Sequence, residues 1–150
     1  MNIDIFNGNK DWKIDRDLTE NYNVLQDRLG LQGIQDIFFL CLLIGYRHGE
    51  KKSYDAINTN GGKEFRPSYF REGQKNILYT IAYEITKGEI FINYNSEVER
   101  EIKREFQAYA SAGMNILIND AFDNDLNHGD LDVELSHFLE NEFNNEEVPF

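Results

Sequence analysis

The chain has 150 residues, 41% hydrophobic and 28% charged, a balance that excludes intrinsic disorder and fits one domain burying about two-thirds of its unfolded surface. Its 27 acidic side chains outnumber 15 basic ones, for a formal charge of −12, which opposes autonomous affinity for DNA. A single cysteine, Cys41, excludes an intrachain disulfide. Met1 to Gly8 do not read as a secretory leader, so a soluble cytoplasmic protein is expected.

Residues 1–15 read as an arm or short strand through Ile3 and Ile5, leading past Trp12. From about Asp17, the residues Leu18, Tyr22, Leu25 and Leu29 recur at spacings of four, three and four. They predict an amphipathic helix that Gly30 ends, with Gly30 to Gly33 as connector. Ile37 to Ile44 are eight consecutive apolar residues, far short of the roughly 20 a membrane span needs. Apolar on every side, they predict a central helix from Ile34 or Asp36 to Gly49, enclosed by its neighbours, with Arg47 at the favourable end of the dipole. Cys41, in mid-run, is expected to act as a small apolar side chain. The rival reading, a buried strand, lacks partner strands elsewhere in the chain.

Residues 50–70 are the least regular stretch. Asn58 to Gly62 form a loop signal, and Pro67 biases Arg66 away from helix. A third helix is predicted from Glu72 to Lys87, its apolar face carrying Ile77, Leu78, Ile81, Ala82 and Ile85 with Tyr79 and Tyr83 alongside. Glu89 to Asn95 are expected to be extended or irregular, with Ile90 and Ile92 pairing with Ile3 and Ile5 as a minor strand. Ser96 to Glu99 match a capping box that opens a fourth helix, supported by a Glu99–Lys103 pair. Gly113 in that helix costs about 1 kcal/mol against Ala, which points to close approach of another helix, expected to be the buried second one. A final helix spans Asp130 to Asn144, with Leu131, Leu135, Phe138, Leu139 and Phe143 inward. The expected architecture is all-α: one domain over residues 1–150, about five helices around a central buried helix, a minor N-terminal strand, and an acidic C-terminal helix and tail.

Charge is unevenly placed. No Lys or Arg follows Asn119, whereas Asp130, Asp132, Glu134, Glu140 and Glu142 fall in the last helix, forming a candidate acidic partner face. The stretch from Arg47 to Lys75 is basic, and Arg47, Lys51, Lys52, Arg66 and Arg71 are candidate partner or phosphate contacts, with Tyr46, Tyr54 and Tyr69 near enough to stack on bases. The bland reading of both is solvated surface, or neutralisation of one by the other.

No residue pattern carries catalysis. The histidines His48, His128 and His137 are scattered and fit no zinc spacing. Gly61-Gly62-Lys63 lacks the rest of a phosphate loop, and Cys41 lies in the most apolar stretch. No enzyme activity, cofactor or metal site is expected. Asp123 to Glu134 imitates a calcium loop, but His128 stands where the turn wants Gly and Asp130 where an apolar residue normally packs; a polar interhelical loop is the favoured reading.

Asp36-Ile37-Phe38 opening an apolar helix that exits through Ile44-Gly45-Tyr46-Arg47 resembles the Dnd system-associated protein 4 family. The same order follows: Glu64-Phe65-Arg66, a helix from Ile77 to Ile85, then Tyr109-Ala110-x-x-Gly113 with Ile116-Leu117. Resemblance covers about Leu18 to Leu139. It implies a small helical accessory protein of DNA phosphorothioation and anti-phage defence operons, with no catalytic residues to transfer. The expected function is a non-catalytic accessory subunit of a defence complex, acting by protein contacts on a larger ATPase or nuclease subunit, with direct nucleic-acid contact only within that complex. Two alternatives stand beside it: an acidic DNA mimic or inhibitor, and a DNA-contacting subunit using the basic 47–75 face.

Overall fold

The computed structural model describes residues 3–7 and 10–144. Within them the fold is all-α: six α-helices, short 3-10 turns and one two-stranded antiparallel ribbon. In chain order these are β1 (Trp12–Lys13), α1 (Thr19–Arg28), α2 (Gln35–His48), β2 (Glu64–Phe65), α3 (Glu72–Thr86), the single turn α4 (Glu89–Ile92), α5 (Ser96–Phe122) and α6 (Leu131–Asn144).

The apolar run forms the spine of the molecule. No residue from Ile34 to Arg47 is exposed, and Phe38, Cys41, Leu42 and Ile44 are fully buried. Gly49 ends α2 in the left-handed region at φ 67°, its N–H returning to the last turn, a backbone conformation that glycine reaches without a Cβ penalty. The long helix α5 crosses α2 at two glycines. A Cβ at Gly113 would overlap the Cys41 carbonyl and fall 2.9 Å from Gly45 N, while a Cβ at Gly45 would overlap the Tyr109 carbonyl. The backbones meet directly there, as the unexplained Gly113 suggested. Glu99 and Lys103 pair at 3.3 Å one turn apart.

Around the spine sits an aromatic cluster centred on Trp12, whose ring lies between 5.8 and 6.1 Å from those of Phe6, Phe38, Phe65, Phe70 and Phe106. Edge-on and tilted arrangements of this kind complement the ring quadrupoles as well as burying area. The ribbon presents Trp12 and Phe65 inward as cross-strand partners.

Three expectations are corrected. Ile90 and Ile92 form no strand with Ile3 and Ile5. Left-handed Lys87 and Gly88 reverse the chain, the Thr86 hydroxyl accepts from Ile90 N at 3.2 Å, and a helical turn results, burying Ile90 and exposing Ile92. The minor strand is instead Trp12–Lys13, paired with Glu64–Phe65. At the start of α5 the cap is Asn95, not Ser96: its Oδ1 accepts from Val98 N at 3.0 Å, a side-chain length that suits the same three-residue reach. Finally, Phe143 does not enter the core; its ring lies under the Arg47 guanidinium, 5.2 Å away.

Candidate interaction surfaces

The five basic candidates do not gather on one face. Arg71 meets Asp36 at the start of α2 (3.2 Å), whereas Arg47 meets Glu142 from its last turn (3.6 Å), about 16 Å further along the helix. Lys51 reaches Glu105 of α5 at 3.1 Å, Lys52 pairs with Asp15, and Arg66 stands 3.8 Å from Asp11. Each of the five therefore has a carboxylate of this chain beside it. Glu105, foremost by its hydrogen bond, holds the Lys51 ammonium above its ordinary pKa, so that charge is committed internally.

Lys52 and Asp15 form the most enclosed of these pairs. The Asp15 carboxylate is wholly shielded from solvent, and it also accepts from Asp17 N (3.2 Å) and Asn58 N (3.4 Å). Lys52 N donates to the Ala108 carbonyl at 3.0 Å. One carboxylate thereby ties the N-terminal arm, the exit of α2 and the Asn58 loop together.

The tyrosines are also engaged. Tyr54 lies between Lys51 and Arg104, its ring centroid 5.7 Å from the ammonium and 4.5 Å from the guanidinium carbon, and its hydroxyl bonds Glu105. Tyr46 packs edge-on against Tyr109 at 5.3 Å. Tyr69 remains 63% exposed and free to stack.

The acidic candidates are spread around α6, since positions 130, 132, 134, 140 and 142 fall at widely different angles of a 3.6-residue period. Asp130 caps the helix, its Oδ1 3.4 Å from Val133 N. Asp132 and Glu140 face solvent, while Glu134 is half-buried. Glu142 turns toward α2, meeting His48 Nε2 at 2.6 Å as well as Arg47. The basic stretch and the acidic helix thus meet each other at this point. In the calcium-like loop, Arg28 donates to the Leu126 and Gly129 carbonyls at 2.7 and 2.8 Å; Gly129 is the position whose carbonyl such a loop would turn to its ion. Asp125 takes Asn127 N and His128 instead. Among the described residues no group of three or more His, Cys, Asp or Glu is placed to hold a metal.

The sequence did not announce the most distinctive surface. Between α2, α3 and α6 runs a hollow of about 690 Å³, lined by Leu43, Tyr46, Ile77, Ile81, Glu84 and Phe143 among others. On α3 the lining residues Asn76, Ile77 and Thr80 are exposed and uncharged, and the exposed Tyr83 beside them continues to Phe91, with rings 5.9 Å apart. Phe91 is 56% and Ile92 81% exposed. Periodicity had placed Ile77 on the inward face, where the exposed Asn76 and Thr80 beside it gave the available contrary signal. Glu84 is the lining carboxylate, and among the described residues no cation lies within ion-pair distance of it. No described helix is long and apolar enough to cross a membrane. Scans of protein-family models, curated proteins and solved structures each found no match to this chain.

Proposed function

We propose that the chain is a non-catalytic accessory subunit of a prokaryotic anti-phage defence complex, of the DNA-modification-linked or ABC/SMC-type ATPase kind, which it joins through protein contacts. Resemblance to the Dnd-associated family supplies the biological setting. The observation that carries the mode of action is the uncharged, exposed α3 rim from Asn76 to Tyr83, continuous with an apolar hollow on one side and with Phe91 and Ile92 on the other. In a chain with 28% charged residues, an exposed face of this kind marks a surface that another molecule covers.

The occupant this surface fits is an amphipathic helix of the larger subunit. A hollow walled by three helices accepts apolar side chains at helical spacing, and Glu84 calls for a Lys or Arg on the occupant's flank. A second copy of the chain is the poorer fit, since each brings a formal charge of −12. The DNA-contacting alternative is disfavoured by the carboxylates beside Arg47, Lys51, Lys52, Arg66 and Arg71. The DNA-mimic alternative is disfavoured by the scatter of carboxylates around α6.

Co-expression with the neighbouring genes of the operon tests this reading. A defined ATPase or nuclease subunit is expected to co-purify, to be lost on Ile77→Asp or Tyr83→Asp, and to be kept on Val133→Asp, an exposed position that does not line the hollow. A chain that co-purifies with none of its neighbours and stays monomeric overturns it.

A further inference from the structure

A second hollow, of about 540 Å³, runs beside β2. Residues Lys63 to Arg66 line one side of it, and Gln26, Gln32 and Gln35 contribute amides to the rest. The ribbon's hydrogen-bond phase fixes which backbone groups face it. Ile14 N donates to Lys63 O at 3.0 Å, and Lys13 is the register partner of Glu64. Lys13 and Glu64 are therefore a non-hydrogen-bonded pair, in which side chains approach closely and backbone groups point outward; their side chains do meet, at 3.4 Å.

The far edge of β1 is already used, since Gln107 Nε2 donates to Lys13 O at 2.7 Å. On β2 the N–H and C=O of Glu64 point away from β1, and no described residue bonds them. Arg66 continues the extended course at φ −85° and ψ 120°, which directs its N–H to the same side. The result is an open strand edge of about 7–10 Å, over residues 64–66, facing a hollow with hydrogen-bonding amides across it.

Lys63 differs from the five basic candidates, each of which has a carboxylate beside it. Lys63 Nζ is held by Asn23 Oδ1 and Gln26 Oε1, both at 2.7 Å, which are neutral and leave its charge uncompensated. Arg66 is 67% exposed in its side chain and only loosely met by Asp11. We propose that this edge takes an extended, carboxylate-bearing segment of a partner protein as a third strand. Glu64 and Arg66 supply the backbone pairing, Arg66 selects acidic side chains on the face it shares with Glu64, Lys63 adds positive potential from the opposite face, and the glutamine amides meet the outer edge of the added strand. This site is separate from the α3 hollow and does not depend on what that hollow binds.

The probe is the peptide acetyl-Val-Glu-Val-Glu-Val-Glu-amide, titrated into the isotope-labelled full chain and followed through backbone amide resonances. Saturable shifts are expected at Glu64 and Arg66, with affinity falling on the order of tenfold or more for Arg66→Glu and for the same peptide with Lys in place of Glu. A peptide methylated at alternate backbone nitrogens is expected to lose the interaction while leaving the protein untouched, so the test stands even if a variant folds poorly. Absence of shifts at Glu64 and Arg66, undiminished binding of the methylated peptide, or stronger shifts at the same amides with oligothymidylate would each overturn the proposal.

Discussion

Gly45 and Gly113 face each other where α2 crosses α5, so close that a Cβ built on Gly113 falls 2.9 Å from the Gly45 nitrogen and into the Cys41 carbonyl. The crossing is set by backbone on backbone, which cannot yield as the tip of a side chain can. Gly113→Ala is therefore expected to destabilise the fold by about 2 kcal/mol net. Overpacking costs typically about 1–3 kcal/mol or more, against about 1 kcal/mol regained from helix propensity. Thermal unfolding should fall by about 2–4 °C per kcal/mol. Gly73→Ala, with nothing within 4 Å of its Cβ, is the contrasting case and should be neutral or slightly stabilising.

Lys52→Met should expose how much the enclosed pair with Asp15 matters. The Asp15 carboxylate keeps its bonds from Asp17 N and Asn58 N but loses its counter-charge. The expected cost is about 2–4 kcal/mol, between that of an unsatisfied polar group and that of an unpaired buried charge. Combining Lys52→Met with Asp15→Asn should cost less than the sum of the two single changes in urea unfolding, because both act on one interaction.

Arg28 joins α1 to the loop before α6 by two parallel bonds to the Leu126 and Gly129 carbonyls. Lysine carries the charge without the planar fork. Arg28→Lys should accordingly leave global stability within about 1 kcal/mol of the parent while speeding amide hydrogen exchange along residues 124–135. Unchanged protection there would show that the loop is held by its own turns.

Asp4 sets a pH dependence. Burial is the largest influence on its carboxyl and raises the pKa, but bonds from the Asn7 side chain and from Phe6 N and Asn7 N outweigh it, leaving the value below its ordinary 3.8. A depressed folded value means that its stabilising contribution is present above 3.8 and is lost as pH falls through the lower folded value. Asp4→Asn should flatten this acid limb of stability, read as the urea midpoint measured stepwise through that window.

Cys41, Gly113 and the Ile34–Gly49 run were legible because their signals are local. An eight-residue apolar block can only be enclosed, a mid-helix glycine needs a close neighbour to justify it, and glycine stop signals fix helix ends within a residue or two. Short-range rules failed where two local solutions compete within one turn: Asn95 against Ser96 as the cap, and a helical turn against a strand at Ile90 to Ile92. In the latter the left-handed pair Lys87 and Gly88 and the Thr86 hydroxyl tip the balance.

By itself the sequence determined an acidic, all-α chain with a buried spine and an α2–α5 crossing, because hydrophobic period and backbone permissiveness are properties of neighbouring residues. Only the tertiary structure decided which charges remain available. Arg47, Lys51, Lys52 and Arg71 find carboxylates 35 to 95 positions away in the chain, whereas Lys63 finds only amides. Such pairings depend on where helices cross, a relation that no spacing rule contains. Among the described residues the same crossings leave the α3 rim and the edge of β2 uncovered.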